Sequence, residues 1–101
     1  MTFEEDPDFT EKALRLIGDD GIFAVQMYLM KQPDAGDVIP GSGGCRKLRW
    51  AAKSHGKRGV ARVIYYWITD DHRILLLDFY AKNESENLSP AQLKELKRKK
   101  P

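Results

Sequence analysis

The spacing of apolar residues divides the chain into a helical N-terminal part and a β-rich centre. Between residues 9 and 31 apolar side chains recur at helical intervals, but Gly18-Asp19-Asp20-Gly21 interrupts them. Because Gly costs about 1 kcal/mol in a helix interior, the pattern predicts two helices. The second is expected to begin near Asp20 as its N-cap and to end before Pro33. Residues 33–44 hold four glycines and two prolines, which predicts a loop.

Three antiparallel strands are predicted after this loop. Residues 45–52 alternate, with Leu48 and Trp50 on one side and Lys47 and Arg49 on the other. Residues 53–59 are predicted as a basic hairpin loop, followed by a strand over residues 60–69 that is rich in β-branched and aromatic side chains. The near-continuous apolar run over residues 73–81 is typical of a central strand covered on both faces.

A short helix is expected to close the chain, with Ser89 as its N-cap and Pro90 as its first residue. The predicted fold class is therefore α+β, with N-terminal helices packed on a small antiparallel β-sheet and a short C-terminal helix. The 101 residues suffice for a single domain, residues 1–101. The first eight residues and residues 97–101 are expected to be flexible ends.

Composition limits the cellular location, disulfide bonding and metal binding that can be expected of the domain. The mean hydropathy of −0.54 argues against a membrane protein, and the acidic N-terminus lacks the basic-then-apolar order of a secretory signal. One cysteine cannot form an internal disulfide, and one Cys with two distant His supplies too few ligands for structural zinc. We expect a cytoplasmic protein that has no membrane association and needs no metal or cofactor.

Charge is strongly segregated along the sequence. Residues 1–37 carry nine acidic and three basic side chains, whereas residues 38–69 carry seven basic side chains and no acidic one. Such a local positive field attracts polyanions, of which nucleic-acid phosphates are the commonest. A solvated basic sheet face is the alternative interpretation of the same pattern.

The β-strands interleave these cations with aromatic rings, as single-stranded RNA sites do. Pairing of the first two strands is expected to bring Lys47 and Arg49 near Tyr66 and Trp67, and Arg62 near Lys53. Further candidates for RNA contact are Lys53, Lys57, Arg58, Tyr66 and Tyr80. Ordinary explanations remain open for all of them, because strand cations often face solvent and aromatic rings often pack in cores.

Several ordered motifs resemble the HigB-type toxins of the RelE/ParE superfamily. They are residues 36–44, Arg46-Lys47-Leu48-Arg49-Trp50-Ala51, residues 56–59, Ala61-Arg62-Val63-Ile64-Tyr65-Tyr66, Tyr80-Ala81-Lys82-Asn83-Glu84 and residues 87–93. The similarity covers residues 9–96. The resemblance implies the toxin of a type II toxin–antitoxin system, with helices packed on one face of an antiparallel sheet.

RelE-like members cut mRNA in the ribosomal A site without a metal ion, so the resemblance implies an mRNA interferase acting on the ribosome and its mRNA. Carried over by position, Lys47, Arg49, Arg62 and Lys82 are the implied catalytic residues, and Asn83 lies at the basic site after the last strand. The implied partner is a cognate antitoxin, a helix-turn-helix protein of HigA type. The chain departs from the best-studied branch in having Asn83 in place of an arginine and Leu88-Ser89 in place of a tyrosine. A gyrase inhibitor of ParE type, or an inactive relic that only binds its antitoxin, is the alternative.

Overall fold

The computed structural model describes residues 1–54, 57–81 and 88–101, and the side chains of all of these except residues 53, 54, 57 and 58. Its elements in chain order are β1 (Thr2–Glu5), α1 (Pro7–Lys31), β2 (Asp37–Val38), β3 (Arg46–Ser54), β4 (Lys57–Ile68), β5 (Arg73–Ala81) and α2 (Pro90–Lys99). The five strands form one sheet in the order β1-β5-β4-β3-β2. No helix in the described part of the chain is long and apolar enough to cross a membrane.

The α+β class is confirmed, but the sheet is mixed rather than antiparallel. Strands β3, β4 and β5 pair antiparallel, as the sequence predicts, whereas β1 pairs parallel with β5 through Thr2↔Arg73 to Glu5↔Leu76. The sequence prediction contains no strand before the first helix. This strand is not predicted because an acidic segment such as Thr2–Glu5 has low strand propensity by itself. In the fold, Arg73 binds Glu4 at 3.1 Å and helps to hold this edge strand.

Helix α1 consists of two helical segments that meet at a kink at Gly18, as the sequence predicts. Gly18 has φ 71° and ψ −178°, a conformation open almost only to glycine, and helical geometry resumes directly after it. The predicted interruption is therefore confirmed, but Asp20 is not an N-cap. The cap of α1 is Asp6, whose carboxylate accepts a hydrogen bond from the Asp8 backbone N–H at 2.9 Å.

Two apolar cores lie on opposite faces of the sheet. Helix α1 covers the first face, and this larger core comprises Phe9, Ala13, Ile22, Val25, Leu29, Leu48, Ala61, Val63, Tyr65, Ile74, Leu76 and Phe79. Helix α2 covers the second face, and this core comprises Ile39, Cys45, Ile64, Leu75, Leu77, Tyr80 and Leu96. The central position of β5 is thus confirmed, since it lies between β1 and β4 and is covered on both sides.

The pairing of β3 with β4 extends beyond the predicted strands. The ladder continues to Lys53↔Arg58 and Ser54↔Lys57, so most of the predicted hairpin loop at residues 53–59 is strand. Between β4 and β5, Ile64 pairs with Asp78 whereas Tyr65 pairs with Leu76, so Leu77 is an extra, bulged residue. The bulge allows Leu75, Leu77 and Tyr80 to share the α2 face although their numbers differ in parity.

The predicted C-terminal helix is confirmed with its cap. The Ser89 hydroxyl accepts from the Gln92 N–H at 3.2 Å, and the Gln92 side chain accepts from the Ser89 N–H at 2.8 Å, forming a capping box behind Pro90. Residues 97–99, expected at a flexible end, belong to α2. The Lys99 side chain is 10% exposed and binds Asp8 at 2.8 Å, Asp6 at 3.3 Å and the Leu77 carbonyl at 3.2 Å.

Candidate nucleic-acid interface

Three polar side chains form a cross-strand row on the α2 face of the sheet. Arg49 lies directly opposite Arg62, and Arg62 lies directly opposite Tyr80. Side chains at directly opposed positions are about 5 Å apart at Cβ. The expectation that Arg62 lies near Lys53 is therefore wrong, because the register places Arg58 opposite Lys53.

Lys47 occupies the next row on the same face. Its partners across the sheet are Ile64 on β4 and Asp37 on β2, so Tyr66 is its diagonal neighbour. The expected proximity of Lys47 to Tyr66 is consistent with this register. Trp67 belongs to the α1 core, on the other face. Arg49 is opposed by Arg62 rather than by either aromatic residue.

The cations of this face, Lys47, Arg49 and Arg62, carry charges that the described residues do not neutralise by ion pairing. Arg49 is exposed, and Lys47 and Arg62 are half-buried. No carboxylate of the described side chains lies within 4.0 Å of any of them, and Arg62 donates a 3.3 Å hydrogen bond to the Ala61 carbonyl. Two like charges opposed across a ladder destabilise it. An anion placed between them would relieve this repulsion.

Arg46 has a structural role instead. It lies on the other face of β3, where its guanidinium donates to the Gly36 carbonyl at 2.7 Å and to the Asp34 carbonyl at 3.3 Å. Tyr65 supports the same loop by donating to the Pro33 carbonyl at 2.8 Å and accepting from the Gly36 N–H at 2.9 Å. These contacts position β2 beside Lys47.

Tyr80 is buried beside Arg62, with 5% of its surface exposed. Burial raises the pKa of its phenol; the positive charge of Arg62 opposes this rise, and the negative charge of Asp78 adds to it. The hydroxyl is therefore protonated at neutral pH and is a hydrogen-bond donor rather than a base. Asp78 is itself paired with Lys12 of α1 at 3.1 Å.

Tyr66 is half-buried on the same face, and a lysine covers its ring. The Lys100 ammonium lies 4.9 Å from the ring centroid, and it also donates to the Gly43 carbonyl at 2.7 Å. The sequence predicts a flexible end at Lys100, so the predicted site does not include this cation. No pattern in the sequence signals it, because the contact depends on where α2 docks.

The remaining candidates cannot be placed at the site. Lys82 and Asn83 lie outside the described residues, as do the side chains of Lys53, Lys57 and Arg58. The backbone of Lys53 pairs with that of Arg58, so both continue the β3–β4 ladder beyond Arg49 and Arg62. What the structure brings together is the group Lys47, Arg49, Arg62 and Tyr80, with Tyr66 and Lys100 beside it.

Cys45 and the metal-ligating residue types add no second site. Cys45 is fully buried, and burial raises the pKa of its thiol, which keeps it in the weakly nucleophilic protonated form. Within residues 1–54, 57–81 and 88–101, no three His, Cys, Asp or Glu side chains cluster closely enough to hold a metal ion.

No protein-family model matches the chain.

Proposed function

We propose that this protein is the toxin of a type II toxin–antitoxin system and that it cuts mRNA on the ribosome. The observation that carries the proposal is the opposed pair Arg49 and Arg62, with Lys47 one row away and no carboxylate within ion-pair distance among the described side chains. A phosphate bound there would exchange a repulsive pair for two charge-assisted hydrogen bonds. The HigB-like motifs of the sequence independently suggest the same chemistry.

The proposed reaction is a transfer within the RNA itself. The 2′-hydroxyl oxygen attacks the adjacent phosphorus, the bond to the 5′-oxygen of the next nucleotide breaks, and a 2′,3′-cyclic phosphate forms. Arg49 and Arg62 would stabilise the negative charge that develops on the phosphoryl oxygens, and Lys47 would hold a flanking phosphate. Tyr80 would donate a hydrogen bond toward the phosphate. The 2′-hydroxyl proton would be accepted by a group of the ribosome or by Lys82, which the resemblance implies as catalytic, and the departing 5′-oxygen would take a proton from the same group or from water.

The proposed partners follow from the same surface. The ribosome and its mRNA would meet the face that bears Lys47, Arg49 and Arg62. A helix-turn-helix antitoxin of HigA type would neutralise the toxin by covering part of the positive surface, where its acidic groups find complementary charge. The proposed setting is the cytoplasm, where translation takes place.

One observation favours a second, non-enzymatic function. Tyr80 is buried and Lys100 covers one face of the Tyr66 ring, so neither of these aromatic side chains is freely exposed for stacking a base. A ParE-like gyrase inhibitor, or an inactive relic that binds only its antitoxin, would need no such face.

Induction of the chain without a partner separates the two functions. Pulse labelling should show protein synthesis falling before DNA synthesis, and primer extension should reveal new 5′ ends within translated mRNA but not within the same mRNA lacking a start codon. If DNA synthesis stopped first and no new ends appeared, the gyrase function would be supported. Normal growth with intact mRNA would support the inactive relic that binds only its antitoxin.

A further inference from the structure

The outer edge of β3 is open along most of its length. Strand β2 pairs only with Arg46 and Lys47, so from Leu48 onward the described backbone of β3 is bonded to β4 alone. Every second residue of such an edge directs its N–H and C=O groups away from the sheet. The segment Leu48–Ala52 can therefore accept one more strand.

A cleft of about 390 Å³ opens onto this same edge. It is lined by Arg15, Leu16, Ile17, Gly18, Gly21, Trp50 and Ala51. Neighbouring strand residues direct their side chains to opposite faces, and Trp50 belongs to the α1 core whereas Ala51 is exposed on the other face. The cleft therefore adjoins Trp50 and Ala51 on the edge strand, along which a paired strand would run.

The kink of α1 creates the cleft. At Gly18 the helix leaves its regular path, and a Cβ atom built there would meet no atom within 4 Å, so the space beside it is open. Beside Gly21, three residues later, the Ile17 side chain occupies the space where a Cβ atom would lie, so Ile17 forms part of the cleft wall. The volume of the cleft lies within the range of about 300–1,000 Å³ typical of small-ligand pockets, which leaves space for an apolar side chain against Leu16, Ile17 and Trp50.

The positive charges around the β3 edge favour an acidic binding partner. Arg15 lines the cleft and Arg49 flanks Trp50; both are exposed, and neither has a carboxylate within 4.0 Å among the described side chains. Cations on an edge strand oppose pairing with a second copy, which would carry the same charges. On the opposite edge of the sheet the chain already holds an acidic strand, β1, partly through Glu4 and Arg73.

We infer that the open edge of β3, with the adjoining cleft, binds an extended acidic segment of another protein as a sixth strand. Backbone hydrogen bonds to Leu48–Ala52 would supply affinity, an apolar side chain would enter the cleft, and a neighbouring carboxylate would pair with Arg15. The inference goes beyond the proposed nuclease activity and does not rest on it. Arg15 belongs to α1 rather than to the strands that carry Lys47, Arg49 and Arg62.

The test uses a short synthetic peptide of alternating Glu and Val with one central Phe, titrated into the isotopically labelled full chain. Amide signals of Leu48–Ala52 and of residues 15–21 should shift, and hydrogen exchange at the β3 edge should slow. The same peptide with alternate backbone nitrogens methylated keeps every charge but cannot pair as a strand, and it should not produce these changes. Equal shifts with the methylated peptide would overturn the inference, because they would indicate charge attraction alone.

A matched pair of variants tests the role of Arg15 in peptide binding. Arg15→Glu should weaken peptide binding by about fivefold or more, roughly 1 kcal/mol. Lys31→Glu, which reverses another exposed charge of α1 outside the cleft lining, should have a smaller effect. Thermal melting verifies that both variants fold. Equal weakening by the two variants, absence of any shift at millimolar peptide, or shifts confined to Thr2–Glu5 and β5 would each contradict binding at the β3 edge.

Discussion

Arg49 and Arg62 face each other across the β3–β4 ladder, and no carboxylate of the described side chains lies within 4.0 Å of either. A pair of this kind lowers the stability of the sheet, so its removal affects stability and anion binding in opposite directions.

Arg62→Ala should remove most of the mRNA cleavage while leaving the fold intact. Loss of one charge-assisted contact to a phosphate costs about 1.5–3 kcal/mol, or roughly 10- to 150-fold in rate. The midpoint of thermal unfolding should stay the same or rise, because the repulsion from Arg49 is gone. Cleavage is measured by primer extension in a translation reaction, with Arg15→Ala as the control for loss of a positive charge elsewhere. A fully active Arg62→Ala protein would eliminate the proposed site.

Charge reversal at Lys57 and Arg58 should weaken capture of the proposed antitoxin. The expected reason is that the partner covers positive surface contributed by Lys47, Lys57, Arg58 and residues 97–100. A pull-down with the proposed antitoxin, repeated over a salt titration, measures the effect. Retention that is insensitive to salt and unchanged in the double variant would show that the antitoxin uses an apolar surface instead.

Lys99→Met should destabilise the protein by about 1–2 kcal/mol, because Lys99 joins the end of α2 to Asp6, Asp8 and the Leu77 carbonyl. Lys97→Met, at an exposed position of the same helix, is the control and should change stability by less than about 0.5 kcal/mol. Chemical denaturation measures both. Equal effects of the two substitutions would show that the Lys99 contacts add nothing.

The contribution of Lys99 should depend on pH in a defined direction. Its hydrogen bond holds the pKa of Asp8 below the ordinary value of 3.8, so this stabilisation is present above pH 3.8 and is lost as pH falls further. Burial by itself would lower the pKa of Lys99, but Asp8 and Asp6 outweigh burial and raise it above 10.5. The stability difference between wild type and Lys99→Met should therefore be greatest between these values and shrink on either side. A difference that stays constant down to pH 2 would contradict the pairing with Asp8.

The free energy of unfolding should fall as pH rises above 10, because two tyrosines that are buried and neutral in the folded state ionise when the chain unfolds. Burial raises the pKa of Tyr65 and of Tyr80 above the ordinary value of 10.0, so their neutral forms favour the folded state and the unfolded state loses protons first. Tyr80→Phe should reduce the slope of unfolding free energy against pH above 10 and change stability by less than about 1 kcal/mol at pH 7. An unchanged alkaline slope would contradict burial of the Tyr80 hydroxyl.

Gly18→Ala should cost about 1–3 kcal/mol, because Ala at φ 71° and ψ −178° is strained although its Cβ would meet no atom within 4 Å. Asp19→Ala, at the next, exposed position, is the matched control. Urea denaturation of the two variants separates backbone strain from loss of a side chain. If Gly18→Ala were neutral, the kink of α1 would have to relax into a continuous helix, and the cleft beside Trp50 would change.

Local pattern determined most of the element positions, because periodicity, caps and turns depend on residues close in sequence. The strand over residues 73–81, the cap at Ser89, the end of α1 before Pro33 and the shared side of Leu48 and Trp50 follow from such signals. The acidic N-terminal segment was not assigned to a strand, because its pairing with β5 depends on residues about seventy positions away, Arg73 among them.

Only the tertiary structure decided which cations act together. The sequence predicted Lys47, Arg49 and Arg62 as candidates, but the register that opposes Arg49 to Arg62 and not to Tyr66 is set by side-chain packing on both faces of the sheet. The contacts of Lys99 and Lys100 likewise could not be predicted from the sequence. A basic run at a chain end carries no periodic signal, and its contacts with Asp8 and Tyr66 exist because the apolar face of α2 docks on Ile64 and Leu77.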